Sequence, residues 1–219
     1  MKLNTDSLRP TKTMKIKQIK AGPLDNLIYI VCTNAQALLI DPAWDKAAID
    51  DFLFENSLSL SAILLTHLHP DHINLADCFA KKNEMPVFYH QSDEFMLDAP
   101  FKNAKYVTDG ENISFENEKI TVIHTPGHTP GSCCYLINEN LFTGDTLFAG
   151  CCGRTDLPRS SPIEMAESLA RLSLLNPDTK VYPGHAYNKC KTTIGAENRN
   201  NTYLKLAQKN KSALIKELS

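Results

Sequence analysis

From Met14 the chain opens on an alternation of apolar and polar positions, "MKIKQIK", and two short apolar runs follow it, "NLIYIVC" and "AQALLID". Period-two alternation, or a short apolar run bounded by turn residues, predicts a strand. The third run stops at Asp41 and Pro42, because proline has no amide hydrogen to give a ladder. "KAAIDDFLFEN" then reads as a helix and "SAILLT" as a buried strand. In "HINLADCFAKKN" the helical period puts Ile73, Ala76, Phe79 and Ala80 on one face, and "MPVFYH" is a further strand.

The second half begins with three more strand-like runs, "KITVIHT", "SCCYLIN" and "NLFTG", the last two joined by a hairpin turn at Asn138 to Asn140. "SPIEMAESLARLSLL" predicts a helix capped by Ser161 with Pro162 at its first position. "TKVYPGH" reads as a strand, and "TYLKLAQKNKSALIKELS" as one closing helix with Leu204, Ala207, Leu214 and Leu218 inward. No repeat or low-complexity linker divides this pattern, so residues 14–219 form one domain, with residues 1–13 a loose basic extension ahead of it. Strands come early and again late, each block followed by helices, which implies a layered α/β sandwich rather than a doubly wound sheet.

Composition narrows the function classes. With 219 residues, 42% of them hydrophobic and 22% charged, the chain has the make-up of a soluble domain with a sizeable core. A net charge of −2 offers no basic surface for nucleic acid, and neither a Walker-type phosphate loop nor a dinucleotide fingerprint occurs. No apolar stretch has the length of a membrane span or the form of a secretory signal, so no membrane partner is expected. Seven cysteines, an odd number without CxxC spacing, argue against a secreted disulfide framework and for a reducing cytoplasm. All seven read as small apolar residues, although Cys151 and Cys152 lie close to a candidate ligand.

The chemistry concentrates in "LLTHLHPDHIN". His67 and His69 are two apart on extended backbone leaving a strand, so their side chains point to the same side. Pro70 suits a helix start, which puts Asp71 and His72 in the first turn. Burying several ionisable groups together is costly unless a cation compensates them. Imidazole and carboxylate donors favour zinc, iron or manganese over calcium. Three later segments repeat the strand-end placement: "TVIHTPGHTPGS" with His128, "LFTGDTLF" with Asp145 and "KVYPGHAY" with His185.

These residues resemble the metallo-β-lactamase superfamily from about Met14 to the end of the chain. The stretches "AGPLDN", "TPGHTPGS", "GDTLFAGCCGRTDLP" and "TTIGAENRNNTYL" resemble its glyoxalase II branch, the hydroxyacylglutathione hydrolases. The resemblance implies a four-layer αββα sandwich with the site at one edge of two sheets. It implies two divalent metal ions, zinc first with iron or manganese as alternatives. His67, His69 and His128 would hold one; Asp71, His72 and His185 would hold the other; Asp145 would bridge them. Catalytic work would then fall to Asp71 and Asp145 with a metal-bridging hydroxide, acting on a small-molecule thioester. A thiol of pKa near about 8.5 leaves without a dedicated acid.

Other residues near the motifs carry smaller expectations. Arg154 and Asp156 would pair to brace the loop after Asp145, while Arg154, Tyr187 and Lys189 are candidates for contact with an anionic substrate. His90 and His124 read as structural. The glutathione-gripping C-terminal region of full-length glyoxalase II is reduced here to one modest helix, and Asn201-Thr202 replaces the branch's usual Asn-Pro.

Two other functions compete. One is a mononuclear iron persulfide dioxygenase, which shares wording with "GCCGRTD" and by resemblance would use His67, His128 and Asp145. Against it, His128 is followed by Thr129-Pro130-Gly131-Ser132, the hydrolase form. The other is a non-catalytic metal-binding protein, for which seven intact donors are hard to explain.

Overall fold

A computed structural model describes residues 14–33 and 35–219, so the extension read at residues 1–13 lies outside the described residues. Six strands form the first sheet in sequence order: β1 (Lys15–Ala21), β2 (Asn26–Cys32), β3 (Gln36–Ile40), β4 (Ser59–Leu64), β5 (Val87–Tyr89) and β6 (Ala104–Tyr106). The first three pair antiparallel and β3 to β6 run parallel. The second sheet holds β7 (Asn112–Phe115), β8 (Glu118–His124), β9 (Cys133–Ile137), β10 (Asn140–Gly144), β11 (Lys180–Pro183) and β12 (Thr192–Thr193), paired antiparallel except for the parallel β10 and β11.

Side-chain alternation along the strands builds the layers. In β2, Leu27, Tyr29 and Val31 face the core between the two sheets, where Tyr135 and Phe142 of β9 and β10 meet them. The intervening Ile28, Ile30 and Cys32 face outward, onto α1 (Lys46–Glu55) and α3 (Ala76–Asn83). On the far side, Cys134 and Leu141 pack under α4 (Pro162–Leu172), α6 (Thr202–Lys209) and α7 (Lys211–Leu218). Every β2 position is buried because both its faces are covered. The result is the expected αββα sandwich.

Two predicted helices are broken. The segment at 72–83 divides into α2 (Pro70–Ile73) and α3, because Asn74 Oδ1 accepts from the Trp44 amide at 2.8 Å and the Leu75 amide donates to Pro42 O at 3.2 Å. The second of these bonds satisfies an amide that the break takes out of the helical ladder. The tail divides at Asn210, whose φ of −156° is not helical and whose side chain caps α7. An unbroken helix of that length would run roughly 25 Å in one direction. The break lets Leu204 and Leu214 reach the same core. Leu218 is only half-buried.

The ends of β3, β4, β8, β10 and β11 open at one end of the sandwich, where cross-sheet bonds from Leu27 N to Gly184 O (2.8 Å) and Cys133 N to Thr66 O (2.7 Å) fasten the sheets together. All candidate donors hang from these ends. Among the described residues, no helix is long and apolar enough to cross a membrane.

Candidate metal centre

The fold brings all seven predicted donors together. His67 and His69 leave β4 on extended backbone, and Pro70 starts α2 so that Asp71 and His72 fall in its first turn. His128 lies on the loop after β8, Asp145 directly follows β10, and His185 follows β11. Two trios result, His67, His69 and His128 in one and Asp71, His72 and His185 in the other, each with its ligand atoms within 4.8 Å of one another. Asp145 stands between them. Its Oδ2 is 3.5 Å from His128 Nε2 and 3.3 Å from His185 Nε2, and its Oδ1 is 3.5 Å from His72 Nε2.

Hydrogen bonds on the outer side assign most of the tautomers. His72 Nδ1 donates to Asp41 Oδ2 (3.1 Å), His128 Nδ1 to the Arg154 carbonyl (2.9 Å) and His185 Nδ1 to the Leu24 carbonyl (2.8 Å). Thr66 Oγ1 donates its proton to Asp41 Oδ2 (2.6 Å), so at 3.1 Å it accepts from His67 Nδ1. Each of these four rings therefore turns a lone pair on Nε2 inward, as metal-binding imidazoles do when the other nitrogen is held.

The consequences inside the site fit a cation. His72 Nε2 and His185 Nε2 face each other at 3.1 Å, as do His128 Nε2 and His69 Nδ1 at 3.0 Å. Two lone pairs so placed repel unless a positive charge, a proton or a metal ion, sits between them. His67 Nε2 and Asp145 Oδ1 are buried without a hydrogen-bond partner, which in a native interior calls for an explanation such as an ion. The electrostatics agree. Burial, then the neighbouring imidazole of His72, holds His67 well below its ordinary pKa. Burial and His128 bring His69 down to about 4, so it too offers a neutral donor. Burial would raise Asp145, but His72, His185 and His67 outweigh it and keep the carboxylate ionised. Burial likewise opposes protonation of His72, yet without a metal ion Asp145, Asp41 and Asp71 push its pKa up to about 9, so an ion bound there would take the place of the Nε2 proton. This charge-dense cluster is suited to metal ions.

Asp41, which the sequence reading passed over as a strand end, can also be grouped with His67 and His72 as a third set of donors. Its oxygens are already engaged by Thr66 N (2.7 Å), Thr66 Oγ1 and His72 Nδ1. It orients His72 from behind. The sign it left in the sequence was a carboxylate ending an otherwise apolar strand.

Two further acids hold the donor loops and were also missed. Asp93, buried in a 3₁₀ helix at Gln91–Met96, accepts from Leu68 N (3.3 Å), Thr129 Oγ1 (2.8 Å) and Gly131 N (2.6 Å). It ties the His67–His69 segment to the His128 loop. Glu197, in α5 (Ile194–Asn200), accepts from Gly150 N (2.7 Å) and Asn201 Nδ2 (3.0 Å), while the same amide of Asn201 donates to Cys151 O (3.1 Å). The "GAENRNN" stretch thereby braces the loop after Asp145.

The remaining expectations separate. Arg154 pairs with Asp156 through Nε (2.6 Å) and a second guanidinium nitrogen (2.7 Å), so its charge is largely engaged. Tyr187 stacks on His185, ring centroids 4.8 Å apart, and is exposed at the rim; Lys189 is exposed two residues later. His90 and His124 stack on each other at 4.0 Å, outside both trios. All seven cysteines are free, and none belongs to a donor group among the described residues. Cys78 and Cys190 are exposed, which corrects the expectation of buried residues at those two positions; each lies in a surface segment.

Comparison with known proteins agrees with this geometry. The family model described as the metallo-beta-lactamase superfamily matches residues 21–185, a span that includes every donor. A probable polyketide biosynthesis zinc-dependent hydrolase of Bacillus subtilis, PksB, is 36% identical over 75% of this chain and 74% of its own length. A hydroxyacylglutathione hydrolase of Aeromonas salmonicida is 37% identical over 74% of this chain and 62% of its own length. The crystal structure of ETHE1 from Myxococcus xanthus superposes with a TM-score of 0.84 at 30% identity, covering 94% of this chain and 90% of that one. With a family model spanning most of its length and relatives above 30% identity, the chain belongs to the metallo-beta-lactamase superfamily.

Proposed function

We propose that the protein is a dinuclear metal-dependent hydrolase that cleaves thioesters of small molecules. The observation that carries this reading is the pair of complete trios with the Asp145 carboxylate between them. His67, His69 and His128 would hold one ion, Asp71, His72 and His185 the other, with Asp145 shared. Zinc is the first choice, since the Bacillus relative is described as zinc-dependent; iron and manganese accept the same donors. Bound at these donors, the ions would supply polarisation of a carbonyl and hydroxide near neutral pH.

The chain's own contribution is orientation. Asp41, Thr66, Leu24 and Arg154 hold four imidazoles by their outer nitrogens, so no ring has to turn when substrate arrives. A thiol with a pKa of about 8.5 departs as thiolate, so no proton donor need be positioned for it. Tyr187 stands at the rim on His185, with Lys189 exposed two residues later, and these two would meet an anionic end of the substrate. Arg154 is the weaker contact because Asp156 already takes its charge. The hydroxyacylglutathione hydrolase relative supports an acyl-glutathione.

A mononuclear persulfide dioxygenase would engage His67, His128 and Asp145 and leave the Asp71, His72 and His185 trio without work. The test is a thioester panel run under nitrogen, with released thiol read by a colorimetric reagent, beside an oxygen electrode. The expected result is thiol release from S-lactoylglutathione or another acyl thioester, and no oxygen uptake. Iron-loaded protein that consumes oxygen with glutathione persulfide and leaves every thioester intact would overturn the proposal.

A further inference from the structure

Trp44 is the only tryptophan of the chain, and its φ of 63° puts a bulky side chain in left-handed backbone. Residues of that kind adopt this conformation only when the surroundings hold them there, and such positions gather at functional sites. The surroundings of Trp44 do hold it. Its amide donates to Asn74 Oδ1 (2.8 Å), at the end of the helix that carries Asp71 and His72. Its indole lies against Gly22, where a Cβ would stand 2.5 Å from the ring. Its indole Nε1 donates to Asn26 Oδ1 (3.0 Å).

Asn26 is buried, and its amide nitrogen donates to the Asp71 carbonyl (3.1 Å) and to Asp71 Oδ2 (2.9 Å). That oxygen is the one facing the imidazoles, 3.6 Å from His72 Nε2 and 3.5 Å from His185 Nε2. An indole N–H only donates. It therefore fixes the Asn26 amide with its oxygen toward Trp44 and its nitrogen toward Asp71.

We infer that Trp44 is a positioning residue for the second metal position, acting through Asn26 to hold the Asp71 carboxylate in its metal-facing orientation. The inference rests on the two-metal reading of the site. Among the described residues the hydrogen bonds of Trp44 go to Asn74 and Asn26 and none to the His67, His69 and His128 trio or to Asp145, so its influence is expected at one of the two positions. Partners that orient a metal ligand from behind typically change metal affinity by about 10- to 100-fold when removed.

The test is a stepwise zinc titration of the metal-stripped full chain against a chromophoric chelator, for wild type, Trp44→Phe, Asn26→Ala and the double variant. Trp44→Phe keeps a ring against Gly22 and removes only the donor. It is expected to weaken one binding step about tenfold, the low end of the range for such partners, and to leave the other unchanged. The double variant is expected to bind no more weakly than Asn26→Ala alone, since the two residues act in series. Both steps weakening together, or neither, would overturn the inference.

A metal-free measurement decides the same point independently. The chain has a single indole N–H resonance, and Asp71→Ala is expected to shift it although Asp71 does not touch Trp44. An unmoved resonance would contradict the coupling. Wild-type protein that takes up only one zinc would defeat the dinuclear function, and the resonance would still decide the role of Trp44.

Discussion

Asp145→Ala is expected to reduce thioester turnover by about 10³-fold or more, while the far-UV circular dichroism spectrum stays that of the wild type. Removing one preorganised electrostatic group from an active site commonly costs about 10² to 10³ in turnover. Asp145 does more than one such group, because it faces donors of both trios: His128 at 3.5 Å, His185 at 3.3 Å and His72 at 3.5 Å. Its loss removes a shared carboxylate and leaves the two sets of imidazoles without the anion that relates them. The core loses nothing, since the side chain belongs to none of the three apolar clusters. His90→Ala is the matched control: that ring stacks on His124 outside the donor groups, and its removal is expected to leave turnover near the wild-type value. Full activity in both variants would show that the donor assignment is wrong.

Gly184→Ala is expected to cost about 10²-fold in turnover without replacing a single donor. A Cβ at this position would lie 2.2 Å from Asp145 Oδ1, 2.9 Å from His72 Cε1 and 3.0 Å from the Gly144 carbonyl carbon. None of these distances is tolerable, so something must move, and the carboxylate tip moves most easily. Misplacing a reacting or ligating group by about 1 Å costs on the order of 10²-fold. The glycine is needed here for close approach rather than for its backbone angle. The variant is expected to fold and to bind metal less tightly than wild type, in chelator competition at pH 7.5. Wild-type turnover and affinity would mean that Asp145 does not occupy this position in the working enzyme.

The legibility of this protein in its sequence follows from the range of its interactions. Strands buried on both faces, such as β2, announce themselves as unbroken apolar runs, and the donors sit directly after such runs, so their placement at strand ends was readable. Of the edge strands only β1, seven residues long and alternating, was readable. β6 and β7 are three and four residues long with two exposed positions each, too short for an apolar pattern to be seen. Asn26, Asp41, Asp93 and Glu197 were invisible as site residues for a different reason. Each acts through partners far along the chain: Asn26 reaches Asp71 across 45 positions, Asp93 reaches Gly131 across 38, and Glu197 reaches Gly150 across 47. A single buried carboxylate or amide has no local spacing to betray its role. The two helix breaks belong to the same class, being set at Asn74 by a bond from Trp44 and at Asn210 by where α7 must pack.

In the proposed arrangement two metal ions would lie between six imidazole and carboxylate donors and one shared aspartate. Metal content per chain, measured by plasma mass spectrometry on protein expressed with zinc, iron and manganese supplied and then desalted, tests it most directly. Close to two ions per chain are expected, as two complete donor trios require. A value that stays at one with all seven donors intact would contradict it.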